Sequence, residues 1–141
     1  MRRIYINETN CCGFVFFILL LSVGTAAIAN DNVPYANAYY TEASVAFTSS
    51  GKAAFSAQTT FVFSRLRVIS CSLEVKVGGA WQSAGSLTPP ATESNNTTIF
   101  DAQMNYGSSC TKGKTYRVIA TFDADGHTIT KTSGAATYNP K

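Results

Sequence analysis

The chain has 141 residues, of which 45% are hydrophobic and 13% charged, with a formal net charge of +3. Its basic residues are scattered along the sequence, whereas a nucleic-acid-binding protein needs a clustered basic face to release counterions from phosphates. We therefore expect no nucleic-acid partner, and the length suits one domain with a modest core.

The start of the chain has the layout of a secretory signal peptide. Two arginines precede an apolar block over residues 13–29, which ends in the small-x-small pattern Ala27-Ile28-Ala29. This pattern predicts cleavage after Ala29, so residues 1–29 are the signal peptide and residues 30–141 a single secreted domain without stable membrane insertion. An uncleaved anchor is the alternative, because the block has about the minimum length that spans a bilayer.

The rest of the chain alternates apolar and polar residues with a period of two, broken by Gly, Pro, Asn and Ser turns. The clearest alternation lies in residues 65–77, where Ile69, Cys71, Leu73, Val75 and Val77 share one face. Seven strands are predicted, at residues 38–48, 53–63, 65–77, 81–87, 97–106, 115–122 and 127–131, with a further candidate segment near 135–138. Seven short strands without a helix predict an all-β, antiparallel two-sheet sandwich; a small closed barrel is the alternative.

Three short motifs are interpreted as turns or loops. Gly78-Gly79 predicts a tight hairpin, because glycine reaches positive φ without steric cost. Asn95-Asn96-Thr97-Thr98 contains two overlapping glycosylation sequons and is interpreted as a polar loop. Asp123-Ala124-Asp125-Gly126 is similar to part of a calcium loop, but Thr132 stands where that loop needs a glutamate, so a hairpin turn is favoured.

The order of these features resembles a known class of proteins. A strand "SCSLEVKV" running into "GGAW", a polar stretch and "KGKTYRVIATFDADGHTI" are similar to short secreted proteins of Gram-positive, clostridial-type bacteria. That resemblance covers roughly residues 43–132 and implies an immunoglobulin-like or fibronectin-like sandwich of bacterial origin, without an activity. Cys71 and Cys110 do not fit the antibody pattern, whose paired cysteines lie on the second and sixth strands.

Cys71 and Cys110 are the only cysteines that remain after cleavage. In an oxidising exterior they predict one disulfide, which stabilises by roughly 4 kcal/mol on the chain-entropy argument. A nucleophilic cysteine needs a histidine partner, and nothing places the single histidine, His127, near either sulfur. Zinc needs three or four ligands, so we predict no catalytic, cofactor-binding or metal-binding residues.

Trp81 is the one residue that we single out for recognition. Aromatic side chains supply rigid contact area at binding surfaces, and a residue just past a hairpin tip is half exposed as readily as it is buried in the core. The sequence therefore predicts a secreted, non-catalytic extracellular module that binds a protein or carbohydrate. A small secreted effector, such as a toxin or antimicrobial protein, is the alternative, and a hydrolase is a third class.

Overall fold

The computed structural model describes residues 38–141. The signal peptide predicted at residues 1–29, with Ala27 and Ala29 at its cleavage site, lies outside the described residues. The strands are β1 (Tyr40–Phe47), β2 (Lys52–Val77), β3 (Ala80–Leu87), β4 (Glu93–Asn105), β5 (Thr115–Ala124), β6 (His127–Thr132) and β7 (Ala136–Thr137), with one 3-10 turn at Gly107–Ser109 between β4 and β5. The predicted all-β class is confirmed.

The longest strand, β2, joins two segments that the sequence predicts as separate strands. Residues 53–63 and 65–77 form one strand of 26 residues, so the predicted boundary at Ser64 is wrong. The reason is that neither glycine nor proline occurs between Lys52 and Val77, and the chain stays extended.

The neighbours of β2 change along its length. Its first half, residues 52–59, lies between β1 and β4. Its second half, residues 66–77, pairs with β5 on one side and with the start of β4 and then β3 on the other. β6 and β7 pair with β5, and all pairs are antiparallel. One curled sheet of seven strands results, in which β1 packs against β5 and β6 without pairing with them. The finer prediction of an immunoglobulin-like two-sheet arrangement stays a prediction.

The two halves of β2 meet at a corner where the pairing is interrupted. The register with β4 shifts between Gln58 and Phe63, and bulges of this kind bend a strand. Phe61 and Val62 lie in the interruption with 59% and 64% of their surfaces exposed. The alternation predicts Phe61 on the same face as the buried Phe55, and the bulge is the physical reason why that prediction is wrong.

A single cluster of apolar side chains fills the space inside the curl. Phe100 from β4 and Phe122 from β5 meet edge to face, with ring centroids 6.2 Å apart. The predicted inward positions of β5 are confirmed: Tyr116, Val118, Ala120 and Phe122 are all buried.

Two residues of β2 that the sequence predicts on the buried face are exposed in the structure. Ile69 and Val77 are exposed rather than buried with Cys71 and Leu73. A register shift between Val68 and Ser70 inverts the alternation at Ile69, and Val77 lies at the end of the strand.

The polar run before Thr97 belongs to β4. The sequence predicts a loop over Asn95-Asn96-Thr97-Thr98, but Asn95 pairs with Arg65, and Glu93 pairs with Arg67. Asn96 takes a positive φ of 53°, which asparagine tolerates better than most residues. The loop prediction is therefore wrong, because β2 extends far enough to give this polar segment a strand partner.

Candidate functional site

Trp81 lies near the start of β3, on the outer face of the sheet. The positive φ of Gly78 and Gly79 closes the predicted hairpin and places Trp81 directly opposite Lys76. Trp81 is half-buried, and the guanidinium carbon of Arg117 lies 4.3 Å from the centroid of its ring. The Lys76 Nζ lies 5.8 Å from the same centroid. Two cations therefore meet one aromatic ring, an arrangement that the ring quadrupole favours.

Arg117 is held in position by a carboxylate. It lies opposite Glu74 in the pairing of β2 with β5, and its Nε donates to the Glu74 Oε2 over 2.5 Å. These two side chains are 30% and 22% exposed, so the charge-assisted hydrogen bond lies at the surface and orients the guanidinium. We call Glu74, Lys76, Trp81 and Arg117 the Trp81 platform.

Part of this platform was readable from the sequence. A two-residue turn at Gly78-Gly79 brings Lys76 opposite Trp81 by counting back from the hairpin. Glu74 and Arg117 are 43 residues apart, and no local pattern gives the register of two strands so distant in sequence. Glu74 lies on the polar face of its predicted strand, without another acid nearby, and the sequence predicts an isolated surface residue. That interpretation missed its partner Arg117.

The Asp123-Ala124-Asp125-Gly126 segment is the predicted hairpin turn. Asp125 has a φ of 48°, and its carboxylate accepts the N–H groups of Ser64 and Arg65 at 2.7 and 3.0 Å. Asp123 accepts from the Gly126 N–H at 2.9 Å and from the Arg67 Nε at 3.4 Å. Both carboxylates thus accept hydrogen bonds from the protein, and Asp125 provides the acceptor for two backbone N–H groups of β2 at the corner of the sheet. Within residues 38–141, no group of three or more His, Cys, Asp or Glu side chains is arranged to hold a metal ion.

Cys71 and Cys110 are thiols in the structure, where the sequence predicts a disulfide. They neighbour different parts of Tyr106: the Cys110 Sγ lies 3.5 Å from its carbonyl oxygen, and Cys71 lies near its phenol. The same phenol donates to the Thr88 carbonyl over 2.7 Å. Tyr106 thus neighbours both cysteines. The disulfide between them stays a prediction.

The environment of both thiols disfavours reactivity. Burial raises the pKa of Cys71, and the neighbouring Tyr106 phenol offsets part of that rise. Burial also raises the pKa of Cys110. A raised pKa leaves less thiolate at neutral pH, and the thiolate is the nucleophile.

The single histidine of the chain, His127, packs against an aromatic ring. It stacks on Tyr39, with ring centroids 3.8 Å apart.

The sequence was compared with protein-family models and with curated proteins. No protein-family model matches the sequence, and no curated protein matches it. Within the part of the chain that the structure describes, no helix is long and apolar enough to cross a membrane. The function is therefore inferred from the geometry of the surface, of which the Trp81 platform is the most organised part.

Proposed function

We propose that residues 30–141 form a secreted, non-catalytic binding module with an immunoglobulin-like sandwich fold, which contacts an extracellular protein through the Trp81 platform. The leader layout of residues 1–29 and the resemblance to clostridial-type secreted proteins support the extracellular location. The observation that carries the proposal is the Arg117 guanidinium held over the half-buried Trp81 ring at 4.3 Å.

This arrangement has the chemistry of a protein-binding hot spot. Tryptophan and arginine are the residue types that contribute most at such surfaces, and the Glu74 carboxylate fixes the guanidinium before a partner arrives. Preorganisation of this kind lowers the entropy lost on binding. Because Arg117 covers the ring, stacking of a sugar on the same ring face would have to displace it, which favours a protein over a carbohydrate.

The test begins with capture at the surface of the platform. A photo-crosslinking residue in place of Ser83, which is exposed on β3, should join a protein from the surface or medium of the producing cells. The same residue in place of the exposed Ser44 on β1 is the matched control and should give no such product.

Titration with the purified captured protein then tests the role of the platform. Trp81 is the only tryptophan in the chain, so its fluorescence reports directly on the proposed contact and should change on binding. Trp81→Ala and Arg117→Ala should each weaken the affinity measured by calorimetry at least tenfold, which corresponds to about 1.4 kcal/mol, whereas Gln103→Ala should not. Equal affinity of Trp81→Ala and the wild type would overturn the proposal. Saturable binding to a glycan array that Trp81→Ala abolishes would replace the protein partner by a carbohydrate.

A further inference from the structure

Strand β4 leaves one edge of the sheet open. Within residues 38–141, β4 pairs only with β2, so its other edge has no strand partner. An unpaired edge presents a row of N–H and C=O groups that can accept another strand.

The hydrogen-bond pattern shows which groups are free. The Tyr106 N–H donates to the Gly51 carbonyl over 2.7 Å, toward β2, and backbone groups alternate in direction along an antiparallel strand. Phe100, Ala102 and Met104, which oppose Ala57, Phe55 and Ala53, therefore bond with β2. The backbone groups of Asp101, Gln103 and Asn105 point away from β2, and we call these three residues the open edge.

The open edge has one charged side chain, that of Asp101, but lacks the stronger features that protect other edges. β3, which also pairs only with β2 in this region, has a register shift opposite Leu73 and Glu74 and a glycine, Gly85, at a φ of 115°. Bulges, lysine and proline are the usual ways in which proteins block edge pairing. Residues 97–105 contain neither lysine nor proline, and their pairing with β2 has no register shift between Ile99 and Asn105.

The surroundings of the open edge leave room for a strand. Three grooves border it, of about 300, 210 and 250 Å³. On the inner face, Ala102 and Met104 are only half-buried although both pack against the core. An added strand with small or apolar residues opposite these two would complete their burial.

We propose that the open edge pairs with the open edge of a second copy of this chain, antiparallel, with the twofold axis at Gln103. In this register Gln103 faces its own copy, and Asp101 faces the partner's Asn105. Ala102 faces the partner's Met104 on the inner face. Each pair is complementary, because an amide donates to a carboxylate and apolar side chains meet each other. An axis at Asp101 would instead place two carboxylates opposite each other, which is destabilising.

Such a contact is isologous: both copies use the same surface, so the assembly stops at a dimer. The first half of each sheet would become one continuous six-stranded surface of β1, β2 and β4 with their copies. Both Trp81 platforms belong to the second half of the sheet, and their residues are not used in the contact. The dimer therefore does not depend on the proposed binding function.

The first test is the mass in solution across a range of protein concentration, measured by sedimentation velocity on the chain from residue 30 with a reducing agent present. The wild type should convert from monomer to dimer as concentration rises. Gln103→Pro should stay monomeric with an unchanged circular dichroism spectrum, because the Gln103 N–H points away from β2 and bonds with no group of residues 38–141, and proline is tolerated on edge strands. Gln103→Ala is the matched control and should dimerise. A wild type that is monomeric at millimolar concentration, or a folded Gln103→Pro variant that dimerises equally, would overturn the proposal.

The register is tested by exchanging the two polar partners. Asn105→Asp places a carboxylate opposite the partner's Asp101 at two symmetric points, which should weaken dimerisation about tenfold. Adding Asp101→Asn restores an amide–carboxylate pair at both points and should restore the affinity. A double variant that is no tighter than the single variant would contradict the register with its axis at Gln103.

Discussion

The two halves of β2 lie in one strand but build different surfaces. Among the described residues, each ion pair belongs to the second half: Arg117 pairs with Glu74, and Arg67 with Asp123 and Glu93. The centre of the outer face of the first half carries small, uncharged side chains on β1 and β2, with Ser44 and Ala46 opposite Ser56 and Ala54.

The two halves could therefore bind a partner in different ways, one through side chains and the other through the backbone. The second half offers side chains that are already oriented by their neighbours, as in the Trp81 platform. The first half offers backbone groups at the open edge of β4, where short side chains leave the sheet accessible. A contact through the second half is specific to the side chains involved, whereas a contact through the first half depends on strand geometry and register.

The largest expected effect concerns the core that the two halves share. Phe100→Ala and Phe122→Ala should each lower the free energy of unfolding by about 3–5 kcal/mol, because both rings are buried without room to collapse. Their edge-to-face contact should make the double variant less destabilised than the sum by about 0.5–1.5 kcal/mol. Urea denaturation followed by circular dichroism measures both quantities. Two separate transitions would contradict the single cooperative unit.

The next effect concerns the sulfurs. Mass spectrometry of the unreduced protein should find a peptide that joins Cys71 to Cys110, because the proposed extracellular location is oxidising and both thiols neighbour Tyr106. Reduction should then lower the free energy of unfolding by up to about 4 kcal/mol. Two free thiols in protein isolated without reductant would refute the pairing.

A smaller effect is expected at the corner between the halves. Asp125→Ala should cost about 1–2 kcal/mol of stability, since it removes the two hydrogen bonds from the exposed Ser64 and Arg65 N–H groups and each such bond contributes about 0.5–1.5 kcal/mol net. Asp125→Asn keeps one acceptor oxygen and tolerates the positive φ, so its melting temperature should lie between those of the alanine variant and the wild type. An alanine variant as stable as the wild type would show that the corner needs no acceptor.

The smallest effect is expected at the platform itself. Glu74→Gln should change the free energy of unfolding by at most about 1 kcal/mol, because the pair is at the surface and solvent screens it. The same change should alter Trp81 fluorescence, since the guanidinium loses the carboxylate that holds it over the ring. A large loss of stability with unchanged fluorescence would mean that Glu74 supports the fold rather than the platform.

The regular parts of both halves were more predictable from sequence than the corner and the bulges. The alternation of residues 71–75, the Gly78-Gly79 hairpin and the buried positions of β5 follow from local patterns. Three other features do not follow from local patterns. They are the fusion of two predicted strands into β2, the exposure of Phe61 and Ile69, and the strand character of Asn95. Each of these depends on a bulge or on a partner strand that is distant in sequence, and a period-two pattern contains no information about either.

Residue-resolved amide hydrogen exchange along β4, at low and high protein concentration, tests most directly the claim that the first half is open through its backbone. The N–H groups of Ala102 and Met104 should exchange slowly at both concentrations because they bond with β2. Those of Asp101 and Gln103 should exchange rapidly in dilute protein and slow down in concentrated protein. Slow exchange of Asp101 and Gln103 in dilute monomer, or equally fast exchange at both concentrations, would contradict it.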